Sequence, residues 1–161
     1  MSNPPKIRAA HDHEAPTLSA IAYESKAYWP YSSDQLAAWR DDLTISTAMI
    51  SSSVVYVAEM DDKTVGFYLL VQCDEKWILE HFWILPSFMG RGIGRALLRH
   101  AVGQAAAGSA KLVSIDADPF AEAFYAACGA RRIAATPAPL AGAPDRVRPQ
   151  MLLDVEACHS S

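Results

Sequence analysis

The stretch that decides the fold is KWILEHFWILPSFMGRGIGR, residues 76–95. Its first nine residues are largely apolar on both faces of an extended chain, which predicts a central strand covered on both sides. Pro86 closes this strand, because proline cannot donate a backbone hydrogen bond. Glycines follow at positions 90, 92 and 94, and a helical pattern runs from about residue 92 to 107. The stretch therefore predicts a strand, a glycine-rich turn and a helix.

The glycine-rich turn has the features of a phosphate-binding loop. Glycine at every second position lets the backbone turn tightly and expose its N–H groups. These groups lie at a helix N-terminus, where the helix dipole favours negative charge, and Arg91 and Arg95 add cations. A pyrophosphate is the ligand that this loop predicts. Its carrier stays open, since neither a nucleotide P-loop nor a dinucleotide fingerprint fits the spacing, and glycines that serve packing alone are the structural alternative.

The segments on either side complete an alternating pattern. We expect further strands at residues 6–10, 54–60, 64–71, 111–115, 131–135 and 151–155. We expect the other helices at about residues 14–28, 32–43 and 120–128. A three-residue turn, 61–63, joins a hairpin, and a loop rich in Pro, Ala and Gly spans 136–149. This order predicts a mixed α/β sheet that is antiparallel at first and parallel where the helix crosses over.

Length and composition narrow the class of protein. The 161 residues suit one domain over residues 1–161, and a net charge of −4 gives no basic surface for nucleic acid. Three cysteines without a CxxC spacing predict neither a disulfide framework nor a metal site. No segment resembles a signal peptide or approaches the ~20 apolar residues that span a bilayer. We therefore expect a soluble, cytoplasmic protein that binds no membrane and no metal.

Two motifs resemble those of the GCN5-related N-acetyltransferase (GNAT) superfamily. MGRGIG, residues 89–94, is similar to the acetyl-CoA signature R/Q-x-x-G-x-G/A, and DPFAEAFYAACGA, residues 118–130, is similar to NxxAxxFYxxxGF. Met89 replaces the usual Arg or Gln, and Asp118 replaces the usual Asn. The order of elements resembles that fold over nearly the whole chain. The resemblance implies a mostly antiparallel sheet of six or seven strands with about four helices, splayed between the fourth and fifth strands.

The resemblance also implies a function and a set of binding residues. It implies an acetyl-CoA-dependent N-acetyltransferase that acts on a primary amine by direct attack in a ternary complex, with a small-molecule amine favoured over a peptide amine. The alternatives are an acyl-CoA sensor without catalysis and a protein or peptide N-acetyltransferase; a homodimer is compatible with each. The residues implied in acetyl-CoA binding are Phe82, Ile84, Leu85, Met89, Gly90, Arg91, Gly92, Ile93, Gly94, Arg95, Asp118, Ala121 and Tyr125. The backbones of the first three would pair with the pantetheine arm like an added strand.

Acetyl transfer to an amine needs a base for the amine, a donor for the oxyanion and an acid for the thiolate. By the resemblance, Tyr125 is the candidate acid. Glu80 is the candidate base, because a carboxylate buried in an apolar strand becomes a stronger base. His81 is the competing base, on the opposite face of the strand, and the N–H of Ile84 is the candidate oxyanion donor.

The resemblance implies that the acceptor amine lies near the bend between the first two helices. Tyr28, Trp29 and Tyr31 lie in this bend, and Trp83 is a further candidate for the same aromatic cluster. Arg146, in the long C-terminal loop, is a candidate to bind a substrate carboxylate. The alternatives are core packing for the aromatic residues and solvation for the arginine.

Overall fold

The computed structural model describes residues 3–156. The strands are β1 Lys6–Ala9, β2 Val54–Met60, β3 Lys63–Cys73, β4 Lys76–Ile84, β5 Leu112–Asp116, β6 Arg131–Pro137 and β7 Val147–Asp154. The α-helices are α1 Ala15–Ala27, α2 Ser33–Ala38, α3 Thr47–Ser52, α4 Ile93–Ala107 and α5 Glu122–Ala127. Short 3-10 turns precede α1, α4 and α5 at Asp12–Glu14, Pro86–Phe88 and Pro119–Ala121.

The strands form one sheet of seven in the order β1-β2-β3-β4-β5-β7-β6. The β1–β2, β2–β3, β5–β7 and β6–β7 pairs are antiparallel, and β4 pairs with β5 in parallel. That parallel pairing joins Trp77–Leu79 to Val113–Ile115, and it stops there although β4 continues to Ile84. The mixed α/β class, the mostly antiparallel sheet of seven strands and the parallel pairing of β4 with β5 are confirmed.

The chain divides into two compact units. The first extends to Leu70 and also includes His81–Ala101, and the second consists of Val71–Glu80 and the chain from Val102 onward. In the first unit, apolar side chains of α1 and of β2 and β3 form a core around Leu18, Val57 and Phe67. In the second unit the core contains Val113, Met151 and Leu153. The expectation of one domain over residues 1–161 stays a prediction.

Three local expectations are corrected. The β2–β3 turn has two residues and not three, since Met60 already pairs with Lys63; Asp61 and Asp62 have φ of +50° and +64°, as a tight hairpin requires. The helix expected at 32–43 ends at Ala38, and α3 was not expected at all. Residues 136–137 and 147–150 belong to β6 and β7, so the C-terminal loop is shorter than expected.

Gly66 in β3 allows the end of β4 to approach closely. A Cβ atom at this position would lie 2.6 Å from Ile84 Cδ1 and 2.7 Å from the Trp83 carbonyl oxygen. We expect Gly66→Ala to lower the free energy of unfolding by about 1–3 kcal/mol, the usual cost of overpacking. Gly103→Ala, in α4, is the control, because a Cβ atom at this position would meet nothing within 4 Å. Since alanine favours a helix over glycine, this substitution should raise the free energy of unfolding by about 0.5–1 kcal/mol. Urea unfolding measures both; equal stability of the two variants would contradict the close approach.

Candidate active site

The glycine-rich turn after β4 is built as the sequence predicts. The backbone passes from β4 through the Pro86–Phe88 turn to Gly90 and Gly92, which have φ of +76° and +82°, and α4 begins at Ile93. A Cβ atom at Gly90 or Gly92 would meet nothing within 4 Å. Packing therefore does not explain these two glycines, whereas the left-handed backbone does. Gly94 lies inside the first turn of α4.

This turn presents several groups that attract anions. The first backbone N–H groups of α4, at Ile93, Gly94 and Arg95, have no acceptor within the helix, and the helix dipole adds partial positive charge. The Arg91 guanidinium lies 4.9 Å from the centroid of the Phe88 ring, and the Lys63 ammonium lies 5.7 Å from the same centroid. Lys63 was not among the expected residues. Its proximity to the Phe88 ring depends on the register of the β2–β3 hairpin, which places the start of β3 beside this ring.

The end of β4 is held by hydrogen bonds within the first unit. The Leu85 N–H donates to the Val65 carbonyl at 2.8 Å, and the buried Ser25 hydroxyl donates to the Ile84 carbonyl at 3.0 Å. The Leu85 N–H is thus engaged in the sheet, which corrects the expectation that it pairs with a pantetheine arm. Backbone groups alternate in direction along a strand, so the Ile84 N–H points to the opposite edge from β3.

The two candidate bases on β4 have different surroundings. Glu80 is exposed, so the burial on which its expected basicity depended is absent. This also corrects the expectation that both faces of β4 are covered. His81 is half-buried, its ring stacks on Phe67 with centroids 6.2 Å apart, and its Nδ1 accepts a hydrogen bond from Trp83 Nε1 at 3.1 Å. Burial lowers the pKa of His81 to about 4, and the charge of Asp42 opposes this shift.

Tyr125 lies in the second unit on α5, a helix that Gly129 ends with a φ of +103°, as expected. Its side chain is buried, with 6% of the residue exposed. Burial, followed by the charges of Asp118 and Cys128, raises the pKa of the phenol above its usual value of 10.0. A phenol with a raised pKa stays protonated at physiological pH and can therefore donate.

Asp118 and Arg146 form a buried ion pair in the second unit. Asp118 Oδ1 accepts a hydrogen bond from the Phe120 N–H at 2.9 Å, and Oδ2 lies 3.7 Å from Arg146 Nη2. Only 8% of the Arg146 side chain and 10% of the Asp118 side chain are exposed, and Arg146 Nη1 donates to the Ala138 carbonyl. Arg146 is therefore not a solvated loop cation ready for a substrate carboxylate, which corrects that expectation. Ala121, by contrast, is half-buried in the turn before α5.

The aromatic residues at the α1–α2 bend contact one another edge-on. The Tyr28 and Trp29 rings meet edge-on at 4.9 Å, and Tyr28 is exposed. The Tyr31 and Trp39 rings meet edge-on at 4.8 Å, and the Lys26 ammonium lies 4.4 Å from the Trp39 centroid. Trp39 was not an expected site residue. Trp83 bonds to His81 in place of joining either pair.

The described residues contain neither a cluster of metal-binding side chains nor a membrane-spanning helix. Among residues 3–156 there is no group of three or more His, Cys, Asp or Glu side chains that could hold a metal ion. Across the same residues, no helix has the length and apolarity that crossing a membrane requires.

The chain was compared with known proteins. A family model described as an acetyltransferase (GNAT) domain matches residues 51–129. A search of the curated proteins gave no match. Among solved structures, a GCN5-related N-acetyltransferase from Rhodopseudomonas palustris superposes with a TM-score of 0.79 at 22% identity, covering 96% of this chain and 98% of that chain.

Two further solved structures have the same fold. The PaiA N-acetyltransferase of Thermoplasma acidophilum, in complex with coenzyme A, gives a TM-score of 0.77 at 18% identity over 94% of this chain and 99% of its own. The ribosomal-protein-S18-alanine N-acetyltransferase of Escherichia coli gives 0.71 at 15% identity over 94% of each chain. Residues 51–129 therefore match the family model of a GNAT acetyltransferase domain, and the described chain has the fold of these solved acetyltransferases.

Proposed function

We propose that the protein transfers an acetyl group from acetyl-CoA to the nitrogen of a primary amine. The observation that carries the proposal is the turn at Gly90 and Gly92, whose positive φ values leave the backbone open in front of the first turn of α4. An anion of pyrophosphate size fits such a turn, because N–H groups and the helix dipole act on it together. The coenzyme A complex of the Thermoplasma relative supports the same ligand class.

We assign the binding of acetyl-CoA to the glycine-rich turn and to the end of β4, which both lie in the first unit. We assign the pyrophosphate to the N–H groups of Ile93, Gly94 and Arg95, with charge from Arg91 and Lys63. The pantetheine arm is assigned to the end of β4 at Phe82 and Ile84, on the edge that faces away from β3. Asp118 has a carboxylate where the family has an amide, and Arg146 holds that carboxylate, so we assign Asp118 to capping the turn before α5.

The reaction is a direct attack. The amine lone pair attacks the acetyl carbon, a C–N bond forms, and the carbonyl oxygen takes up the negative charge. Collapse of this intermediate breaks the C–S bond, and the amine nitrogen loses its proton. The departing thiolate of CoA takes a proton or a hydrogen bond from the Tyr125 phenol. A thiol has a pKa of ~8.5, which is lower than the pKa of the phenol, so complete proton transfer from Tyr125 to the thiolate is unfavourable. Tyr125 therefore acts mainly by donating a hydrogen bond as negative charge develops on sulfur.

Glu80 is the proposed acceptor of the amine proton, through a water molecule, because its carboxylate is open to solvent. Without desolvation its contribution should be small. We expect Glu80→Gln to lower kcat/KM about tenfold, below the usual range for a general base. Glu75→Gln, at an exposed carboxylate in the β3–β4 turn, is the matched control and should change nothing. Equal rates for the two variants would show that solvent alone removes the proton.

The acceptor is proposed to be a small amine, and the aromatic pairs at the α1–α2 bend support an apolar or aromatic group on it. The E. coli relative acts on a ribosomal protein, so a peptide amine is the second candidate.

The test has two parts. Calorimetry should show acetyl-CoA binding, and ATP or NAD at the same concentration should not compete. Release of CoA thiol is then followed over a panel of small amines and peptides with a free N-terminus. Binding without any acetylated product over the whole panel would favour an acyl-CoA sensor, and absence of binding would contradict the proposal.

A further inference from the structure

The hydrogen bond between Trp83 and His81 decides where His81 carries its proton. These residues are two positions apart on β4, so their side chains leave the same face of the strand. An indole N–H can only donate, and it lies 3.1 Å from His81 Nδ1. Nδ1 must therefore hold a lone pair in this arrangement. A neutral imidazole has one proton, which then has to be on Nε2.

The neighbours of His81 show on which face of the sheet it lies. Tyr68 in β3 bonds through its hydroxyl to His100 of α4 at 2.8 Å, so its side chain is on the α4 face. The next residue along the strand, Phe67, points to the opposite face. His81 stacks on Phe67, and Asp42, from the segment after α2, acts on it by its charge. His81 is thus on the face away from α4.

We propose that His81 serves acetyl transfer as a hydrogen-bond donor through Nε2–H to an oxygen atom of the bound substrates, and not as the base. This rests on the proposed function. A base would need a lone pair on Nε2, because Nδ1 is engaged by Trp83, and the Trp83 bond leaves Nε2 protonated. The acceptor oxygen belongs either to the acetyl group, where negative charge develops, or to the acyl acceptor.

The low pKa of His81 agrees with the geometry. A pKa of about 4 keeps the ring neutral from about pH 5 upward, and its cause is burial, with Asp42 as the opposing charge. The donor is then present at every pH at which the amine is reactive. An acid limb near pH 6.5 in the rate profile should therefore not depend on His81.

The tautomer is tested first, because this measurement needs no substrate. Two-bond nitrogen–proton correlations of the histidine rings are recorded at pH 6, 7 and 8, and the His81 signals are assigned by their loss in His81→Gln. We expect a proton on Nε2 and a bare Nδ1 throughout. Trp83→Phe removes the indole donor and should shift the ring toward a mixture of tautomers. A proton on Nδ1, or an imidazolium in this range, in the unmodified protein would overturn the proposal.

The role in catalysis is tested with three substitutions. Gln carries an amide nitrogen near the position of Nε2 and has no basic nitrogen, so His81→Gln should keep kcat/KM within about fivefold. Asn does not reach that position, and Glu can accept a proton but cannot donate when ionised. His81→Asn and His81→Glu should each lose about 10²-fold, the effect of removing one oxyanion donor. A Glu variant more active than the Gln variant would make His81 a base and overturn the proposal.

The two sources of the oxygen are separated by the kinetic constants. A loss confined to kcat assigns the oxygen to the acetyl group, whereas a rise in KM for the amine assigns it to the acceptor. Acetyl-CoA binding by calorimetry should be the same in all three variants. If the unmodified protein acetylates no amine, the proposed function fails while the tautomer result stands, so the two failures are distinguishable.

Discussion

Tyr125→Phe should lower kcat about 10²–10³-fold, the range found for the loss of one hydrogen-bond donor to developing negative charge, while acetyl-CoA binding changes little. The substitution keeps the ring, which is buried at 6% exposure and contacts Phe124 at a centroid distance of 5.4 Å. It removes only the hydroxyl, which desolvation keeps protonated. The thiolate of CoA then leaves without a donor, and its negative charge stays uncompensated. Single-turnover rates with a poor amine, for which chemistry limits the rate, measure this effect.

Tyr23→Phe is the matched control for that experiment. Tyr23 stacks under the Arg40 guanidinium at 4.7 Å and lies in α1, and it has no role in the proposed acid–base chemistry. Its loss of a hydroxyl should leave kcat unchanged, and both variants should unfold at similar temperatures. A Tyr125→Phe protein that is folded and fully active would remove the phenol from the mechanism.

Gly92→Val should weaken acetyl-CoA binding at least 30-fold, or about 2 kcal/mol. A β-branched residue at a φ of +82° is strained, and relaxing the strain moves the backbone of the turn. The N–H groups of the first turn of α4 then lose their common direction toward the pyrophosphate. Isothermal titration calorimetry with acetyl-CoA measures the affinity directly.

Gly142→Val is a close control for the loop experiment. Gly142 has a φ of +81° and nothing within 4 Å of an added Cβ, but it lies in the β6–β7 connection. Both substitutions should therefore destabilise the protein by similar amounts. Only Gly92→Val should lower the affinity for acetyl-CoA. Similar affinities of the two variants for acetyl-CoA would contradict the assignment of the turn as the pyrophosphate site.

Sequence patterns predicted the fold best where apolar residues repeat with one clear period. The bounds of β2 and β4 match the prediction, because long apolar runs bounded by turn residues leave few alternatives. The C-terminal hairpin was missed in part, since Pro149 is buried inside β7 and proline ordinarily argues against a strand there. Helix α2 was predicted too long, because the apolar Leu43 fits the helical pattern. Leu43 is buried but lies beyond the end of the helix.

The candidate site was predictable where backbone conformation decides it and less so where tertiary contacts do. Glycines at alternate positions were enough to predict the open turn, since φ is a local property. The exposure of Glu80 depends on what covers the strand, and the Arg146 ion pair depends on a hairpin whose register was not foreseen. The proton position on His81 could have been predicted from the sequence. Trp83 is two residues along the same strand, so its indole lies on the same face as His81 and can donate to it.

The buried pair of Asp118 and Arg146 has a consequence for how such chains diverge. Losing one partner of a buried ion pair typically costs about 3–5 kcal/mol, so we expect substitutions at either position alone to be poorly tolerated. An exchange of Asp118 for asparagine becomes tolerable only together with a change at Arg146, in a different part of the sequence. We therefore expect the two positions to change together in related chains, with an arginine in the last hairpin accompanying an aspartate at this motif position.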